Sequence, residues 1–227
     1  MPDELISRLV GEMAQFKYPF YFSPFKVNEP LLDKRTIPLC HEMEARTKAR
    51  IRIFSNGSTL TKKNIEAIAE LKRVEHLWIS LNDYRPDEYH DLMNLNFDHT
   101  TKNLDRLHEY NYPHPVVLSA VGYPNQEFRD YCEDRWPKFK VFVIEQSAWI
   151  DFTDAQRDVV PNTPCVRWWE LSIMANGIAS LCCMDGEGEY SIGDLNNSTL
   201  LEVYATTRDR RLGMSRKEVS PCDRCTY

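Results

Sequence analysis

The sequence predicts an α/β chain in two parts: an incomplete parallel β/α sheet over residues 1–146, then a small β-hairpin plus helix domain over 165–227. Three observations carry this. Up to about residue 146, short apolar runs alternate with longer amphipathic segments, the pattern of repeated βα units. Five such strands can be counted, whereas a closed (β/α)8 barrel needs eight. Beyond Pro161 and Pro164, which bound a polar linker over 147–164, the chain changes style. Two β-rich runs, 167–174 and 178–184, are joined by Asn176-Gly177, a strong hairpin signal because both turn positions need positive φ.

The elements follow in order. Residues 2–16 read as a helix and 19–23 as a strand. A second helix covers about 31–48, and Ile51-Arg52-Ile53-Phe54 is the next strand. Thr61 is a plausible N-cap for a helix whose Ile65, Ile68 and Leu71 follow the helical period. The strand 74–81 comes next, then a helix capped by Asp98 that buries Leu104 and Leu107, and the strand 116–121. A helix near 125–135 and the strand 140–145 close the first part. In the second, a helix near 198–206 and a polar loop lead to Cys222 and Cys225.

Composition bounds the function. At 227 residues with 42% hydrophobic and 27% charged side chains, the chain is globular and large enough for a proper core. It has no apolar run of the length a membrane span needs and no basic-then-apolar leader at its start. Seven cysteines, an odd count, then point to free thiols in a reducing cytoplasm rather than disulfides. A net charge of −6 argues against nucleic acid as the main partner. The basic cluster 208–217 reads as a solvated loop, and Cys40-His41 as helix packing. No Gly-rich phosphate loop or nucleophile elbow is present.

The chemistry concentrates in the cysteines. Cys165, then Cys182 or Cys183, then Cys222 and Cys225 form an order suited to a metal or cluster, since a CxxC pair turns two sulfurs toward one site. A two-residue turn at Asn176-Gly177 makes Ala175 face Ile178, so Leu171 pairs with Cys182 and Glu170 with Cys183. Neighbouring strand residues point to opposite faces, which leaves Cys182 on the face of Leu171 and Cys165 as the ligand and Cys183 as a packed thiol. A slip of one residue inverts that choice. Four thiolates suit structural zinc and a 4Fe-4S cluster alike.

These residues resemble radical S-adenosylmethionine (SAM) enzymes carrying an auxiliary-cluster domain of the SPASM or shorter twitch type. Cys165, Gly177 and Cys182 match the family's Cys-x(9–15)-Gly-x4-Cys segment, and Cys222-Asp223-Arg224-Cys225 its later CxxC. Ile192-Gly193-Asp194-Leu195 is similar to the connecting segment. Upstream, Asn28-Glu29-Pro30 stands where the family has Gly-Glu-Pro, whose carboxylate meets the SAM amino group. Ser55-Asn56-Gly57 stands for Thr-Asn-Gly, and Ser80-Leu81-Asn82 resembles the Ser-Leu-Asp that faces the ribose. The resemblance implies an incomplete (β/α)6-type partial TIM barrel with Glu29, Ser55, Asn56, Ser80 and Asn82 as SAM contacts. It also implies one auxiliary 4Fe-4S cluster on Cys165, Cys182, Cys222 and Cys225, zinc being the alternative metal.

One departure is large: the CxxxCxxC loop that holds the SAM-cleaving cluster in this family is absent, since Cys40 and Cys132 are single and far apart. The expectation is a shortened chain, inactive in SAM cleavage as given. In complete form it would be an oxidoreductase or a modifier of peptides or small molecules, with an electron-transfer role for the auxiliary cluster. The alternative is a non-catalytic, metal-stabilised binding or accessory module, with a partner protein at an open sheet edge.

Overall fold

The computed structural model describes residues 1–122, 126–146 and 159–226, so most of the linker expected over 147–164 lies outside the described residues. Two compact units form, one of Lys17–Glu145 and one of Met1–Phe16 with Gln146–Tyr227. Helix α1 (Asp3–Met13) belongs to the second.

The first unit runs β1 (Phe20–Phe22), α2 (Thr36–Arg46), β2 (Ala49–Ser55), α3 (Lys62–Ala69), β3 (Val74–Ser80), α4 (Pro86–Met93), α5 (Phe97–Glu109), β4 (Val116–Val121), α6 (Gln126–Arg135) and β5 (Lys140–Ile144). The strands are all parallel in the order β1-β2-β3-β4-β5, which is the partial barrel the alternation predicts. Period-2 patterning sorts the side chains. Ile51, Ile53, Leu77, Ile79 and Leu118 are wholly buried, as are Met43, Ile68, Leu104 and Leu107 on the helices; each such burial is worth about 1.5–3 kcal/mol. The opposite face carries aromatic rings. Phe25, Phe54, Trp78 and Phe142 follow one another at centroid separations of 5.0, 5.5 and 5.6 Å, normal aromatic contact distances.

Helix starts obey local chemistry. The Thr61 hydroxyl accepts from the Asn64 amide at 3.2 Å, as its position predicts. The cap of α5 is Asn96, accepting from the His99 amide at 2.8 Å, rather than Asp98, which falls inside the first turn. The helix expected over 31–48 is interrupted: Pro30–Leu32 forms a 3-10 turn, and α2 begins at Thr36. Helix α4, absent from the sequence expectation, starts on Pro86 and ends on Asn94 in the left-handed region at φ 52°.

In the second unit a 3-10 turn (Val166–Trp169) precedes β6 (Ser172–Ile173), β7 (Ile178–Ser180) and β8 (Ser191–Asp194), an antiparallel sheet in the order β6-β7-β8. Helices α7 (Leu200–Thr206) and α8 (Arg208–Arg211) and 3-10 turns at Arg216–Glu218 and Cys222–Arg224 follow. Helix α1 packs here: Leu5 and Leu9 are buried with Ala179, Leu195, Leu200 and Val203, and Glu12 accepts from the Leu200 amide at 2.6 Å. Its apolar face packs against the hairpin unit. Gly193 permits α7 to lie close, because a Cβ there would stand 2.8 Å from the Val203 methyls.

Two expectations are corrected here. The run 167–174 is mostly a turn, with only Ser172–Ile173 in the sheet. The hairpin register is also shifted by one residue, since Ile173 faces Ala179 and the Met174 amide donates to the Ile178 carbonyl at 2.8 Å. Asn176 does not take positive φ; its side chain accepts from the Ile178 amide at 3.1 Å, an Asx turn. Only Gly177, at φ +86°, is left-handed, so Ala175–Gly177 forms a three-residue loop. Strand pairing ends at Ser180, and face parity therefore does not reach Cys182 or Cys183.

Candidate cofactor sites

Four cysteines from three separate segments meet in the second unit. Cys165 precedes the first 3-10 turn, Cys182 lies in the loop after β7, and Cys222 and Cys225 bracket the last turn, where the Cys225 amide donates to the Cys222 carbonyl at 3.2 Å. A 3-10 turn brings residues i and i+3 to the same side, which is what CxxC spacing uses here. All four are 5–8% exposed and line one cavity together with Trp168 and Met184. Cys183 does not line it; partly buried, it packs at the cluster's margin. The loop bearing Cys182 is held by Asp185, which is buried and accepts from the Glu189 and Tyr190 amides at 2.9 and 3.1 Å.

Burial sets the charge state of these thiols. Burial, reinforced by the neighbouring Cys183, pushes the Cys182 thiol up to about 12. Burial also raises Cys222, against the opposing pull of a Trp168 hydrogen bond and the Arg210 charge. Thiols held this way are neutral until a metal or cluster displaces the proton. Among the described residues no group of three or more His, Cys, Asp or Glu side chains forms a single-ion site; the cysteines share a cavity rather than a ready-made coordination sphere. Four buried sulfurs facing one cavity fit a cluster ligand set.

Arg216 lines the same cavity and is 8% exposed, which corrects the expectation that 208–217 is wholly a solvated loop. A signal for it was present in Ser215-x-x-Glu218, a capping-box pattern that the structure forms just ahead of the CxxC. Of the two adjacent tryptophans, Trp168 is buried, while Trp169 is exposed and has the Arg211 guanidinium 6.0 Å from its ring centroid.

In the first unit, Glu29, Ser55 and Asn56 come together. The Glu29 carboxylate accepts from the Ser55 hydroxyl at 3.0 Å, the Asn56 amide at 2.7 Å, the Thr59 hydroxyl at 3.1 Å and the Leu31 amide at 3.2 Å. Three of these bonds fall on Oε1 and one on Oε2, so Oε2 keeps an acceptor position open. Thr59 was missed from sequence because its role exists only through Glu29. On the adjacent strand, Ser80 lies level with Ser119. Asn82, in the left-handed region at φ 66°, accepts from the Val121 amide at 3.2 Å. Ser55 and Ser80 are the last residues of β2 and β3 and Asn56 and Asn82 follow them, so these residues stand at C-terminal strand ends, where β/α barrels carry their chemistry.

A family model described as the radical SAM superfamily matches residues 2–134, more than half of the chain. The chain belongs to the radical SAM superfamily. A second model, the SPASM iron-sulfur cluster-binding domain, matches residues 165–226, and 4Fe-4S clusters are the cofactors of these domains. Solved structures agree in fold. BtrN in complex with AdoMet and 2-DOIA superposes with a TM-score of 0.63 at 14% identity, over 100% of this chain and 80% of that one. Streptococcus suis SuiB bound to its precursor peptide SuiA gives 0.69 at 16%, over 100% of this radical SAM chain but only 63% of SuiB. anSMEcpe with bound AdoMet and Cp18Cys peptide gives 0.67 at 12%, over 92% and 74%. A search of curated proteins finds no match. No helix among the described residues is long and apolar enough to cross a membrane.

Proposed function

We propose that this radical SAM chain is an oxidoreductase or a modifier of peptides or small molecules, and that Cys165, Cys182, Cys222 and Cys225 hold one auxiliary 4Fe-4S cluster. The observation that carries the reading is the convergence of these four thiols on one cavity inside the region matching an iron-sulfur cluster-binding domain. When bound, the cluster supplies one-electron transfer. The residues would do the rest: four thiolates would saturate a 4Fe-4S cluster and leave substrate no open iron, while Trp168 and Met184 wall the cavity with apolar surface. The bound AdoMet and peptides of the neighbouring structures support SAM and a peptide or small molecule as this chain's ligands. Ser80 and Asn82 would face SAM at the strand ends, with Glu29 shaping the Ser55–Thr59 loop as well as presenting its charge.

The 227 residues contain no CxxxCxxC, and this polypeptide by itself is expected to form no 5′-deoxyadenosine from SAM after reconstitution and reduction. Product above a no-protein control would overturn that expectation. Anaerobic reconstitution tests the cluster: about four iron and matching sulfide per chain are expected in the wild type and in Cys183→Ser, with loss in Cys182→Ser. One zinc without sulfide would favour the second reading, a metal-stabilised accessory module, for which β1, hydrogen-bonded only to β2 among the described strands, offers a pairing edge.

A further inference from the structure

The cavity that gathers the four thiols also holds a buried cation. The Arg216 guanidinium is fixed from behind: Nε donates to the Thr163 carbonyl at 3.1 Å and Nη2 to the Thr163 hydroxyl at 3.3 Å. Beside it, the Ser215 hydroxyl donates to Asn162 Oδ1 at 2.5 Å. These bonds tie the segment leading into Cys165 to the segment leading into Cys222. They also immobilise a positive charge on the wall that faces the sulfurs.

We infer that Arg216 is an electrostatic positioning residue for the auxiliary cluster, raising its reduction potential. The inference rests on the proposal that Cys165, Cys182, Cys222 and Cys225 bind a 4Fe-4S cluster. Four thiolates give such a cluster a net negative charge, and taking up one electron makes it more negative by one. A fixed cation therefore stabilises the reduced form more than the oxidised form, and potential follows local charge and hydrogen bonding. Burial matters because an exposed charge is screened by water and salt. Arg167 lines the cavity too and is paired with Glu170 at 2.8 Å.

The test uses the full chain, reconstituted anaerobically, with iron and sulfide analysis and a dye-mediated redox titration followed by electron paramagnetic resonance. Arg216→Gln is expected to keep its iron and to lower the one-electron reduction equilibrium constant about tenfold, equivalent to about 59 mV. Arg216→Lys should stay near the wild-type potential. Equal potentials for wild type and Arg216→Gln at equal iron content would overturn the inference. If Arg216→Gln loses its iron, Arg216→Lys decides: a loaded cluster at wild-type potential supports the charge, and an empty one refutes it. A wild type that takes up no iron and sulfide is a separate failure, since it removes the cluster reading and the inference together.

Discussion

Replacing Glu29 with alanine tests whether its carboxylate is a strut of the β2 strand end. The side chain accepts four hydrogen bonds. Two of the donors, Ser55 and Leu31, sit in buried residues, 4% and 9% exposed, where water is poorly placed to replace the lost acceptor. The other two, on Asn56 and Thr59, are in half-buried residues and can turn to solvent. Losing a charged acceptor costs roughly 1.5 kcal/mol or more for each donor left buried, giving about 3 kcal/mol for Glu29→Ala. For a chain of this size that lowers Tm by about 6–12 °C. Glu29→Gln keeps the shape but turns an amide NH2 toward a backbone donor, and should lose about 1–2 kcal/mol. Thermal unfolding followed by circular dichroism at neutral pH reads both. A fall under about 2 °C for Glu29→Ala would refute the strut, since loss of so many bonds could not be so nearly silent.

Other perturbations probe the packing around the sites. Burial acts to raise the Asp105 carboxyl, but hydrogen bonds from Arg135 and Trp136 outweigh it and hold the group below its ordinary value. A depressed carboxylate contributes stability in full above its unfolded pKa of about 3.9 and loses it as pH falls through the lower folded value. The Tm gap between wild type and Asp105→Asn should therefore be constant above about pH 5 and narrow toward pH 3; a gap that widens on acidification would contradict the assignment. Gly193→Ala puts a methyl 2.8 Å from the Val203 methyls and should destabilise by about 1–3 kcal/mol, with Val203→Ala in the same chain restoring part of the loss. Cys40 and Cys132, pushed up to about 12 by burial, should resist iodoacetamide at pH 8 in the folded protein and label fully in denaturant, as read by peptide mass spectrometry.

The β/α unit was legible because its signals are local and repeated. Period-2 runs placed the five strands, and the Thr61 cap followed from one residue type next to one apolar stripe. Helix α4 was missed because its start rests on Pro86 and its buried surface is little more than Tyr89. Asn176-Gly177 marked the hairpin but not its register, because asparagine can close a turn through its side chain as readily as by positive φ. Cys182 rather than Cys183 lines the cavity, through the loop after β7 and not through strand parity. Motif spacing named the cysteines in advance; the cation among them was hidden, because arginine in a basic run looks solvated until the partners of its guanidinium, such as Thr163, are known. Strand β8 was obscured for a similar reason: Gly193 weakens its strand signal and gains meaning only from the approach of Val203.

The position of helix α1 bears on the order in which the chain can be made and folded. Glu12 and Leu200 are hydrogen-bonded across 188 residues of sequence, and Leu5 and Leu9 have their core neighbours between Ala179 and Val203. During synthesis this helix emerges ahead of the segments it packs against and cannot cover its apolar stripe until Val203 has appeared. The strands of Lys17–Glu145 all find their partners within that stretch, so it can collapse as it leaves the ribosome. A folded insert also shortens the coil that α1 must close, lowering the entropic cost of bringing its ends together. In the interval before that closure the apolar stripe of α1 is open to aggregation, and a chaperone that shields an exposed amphipathic helix would act there.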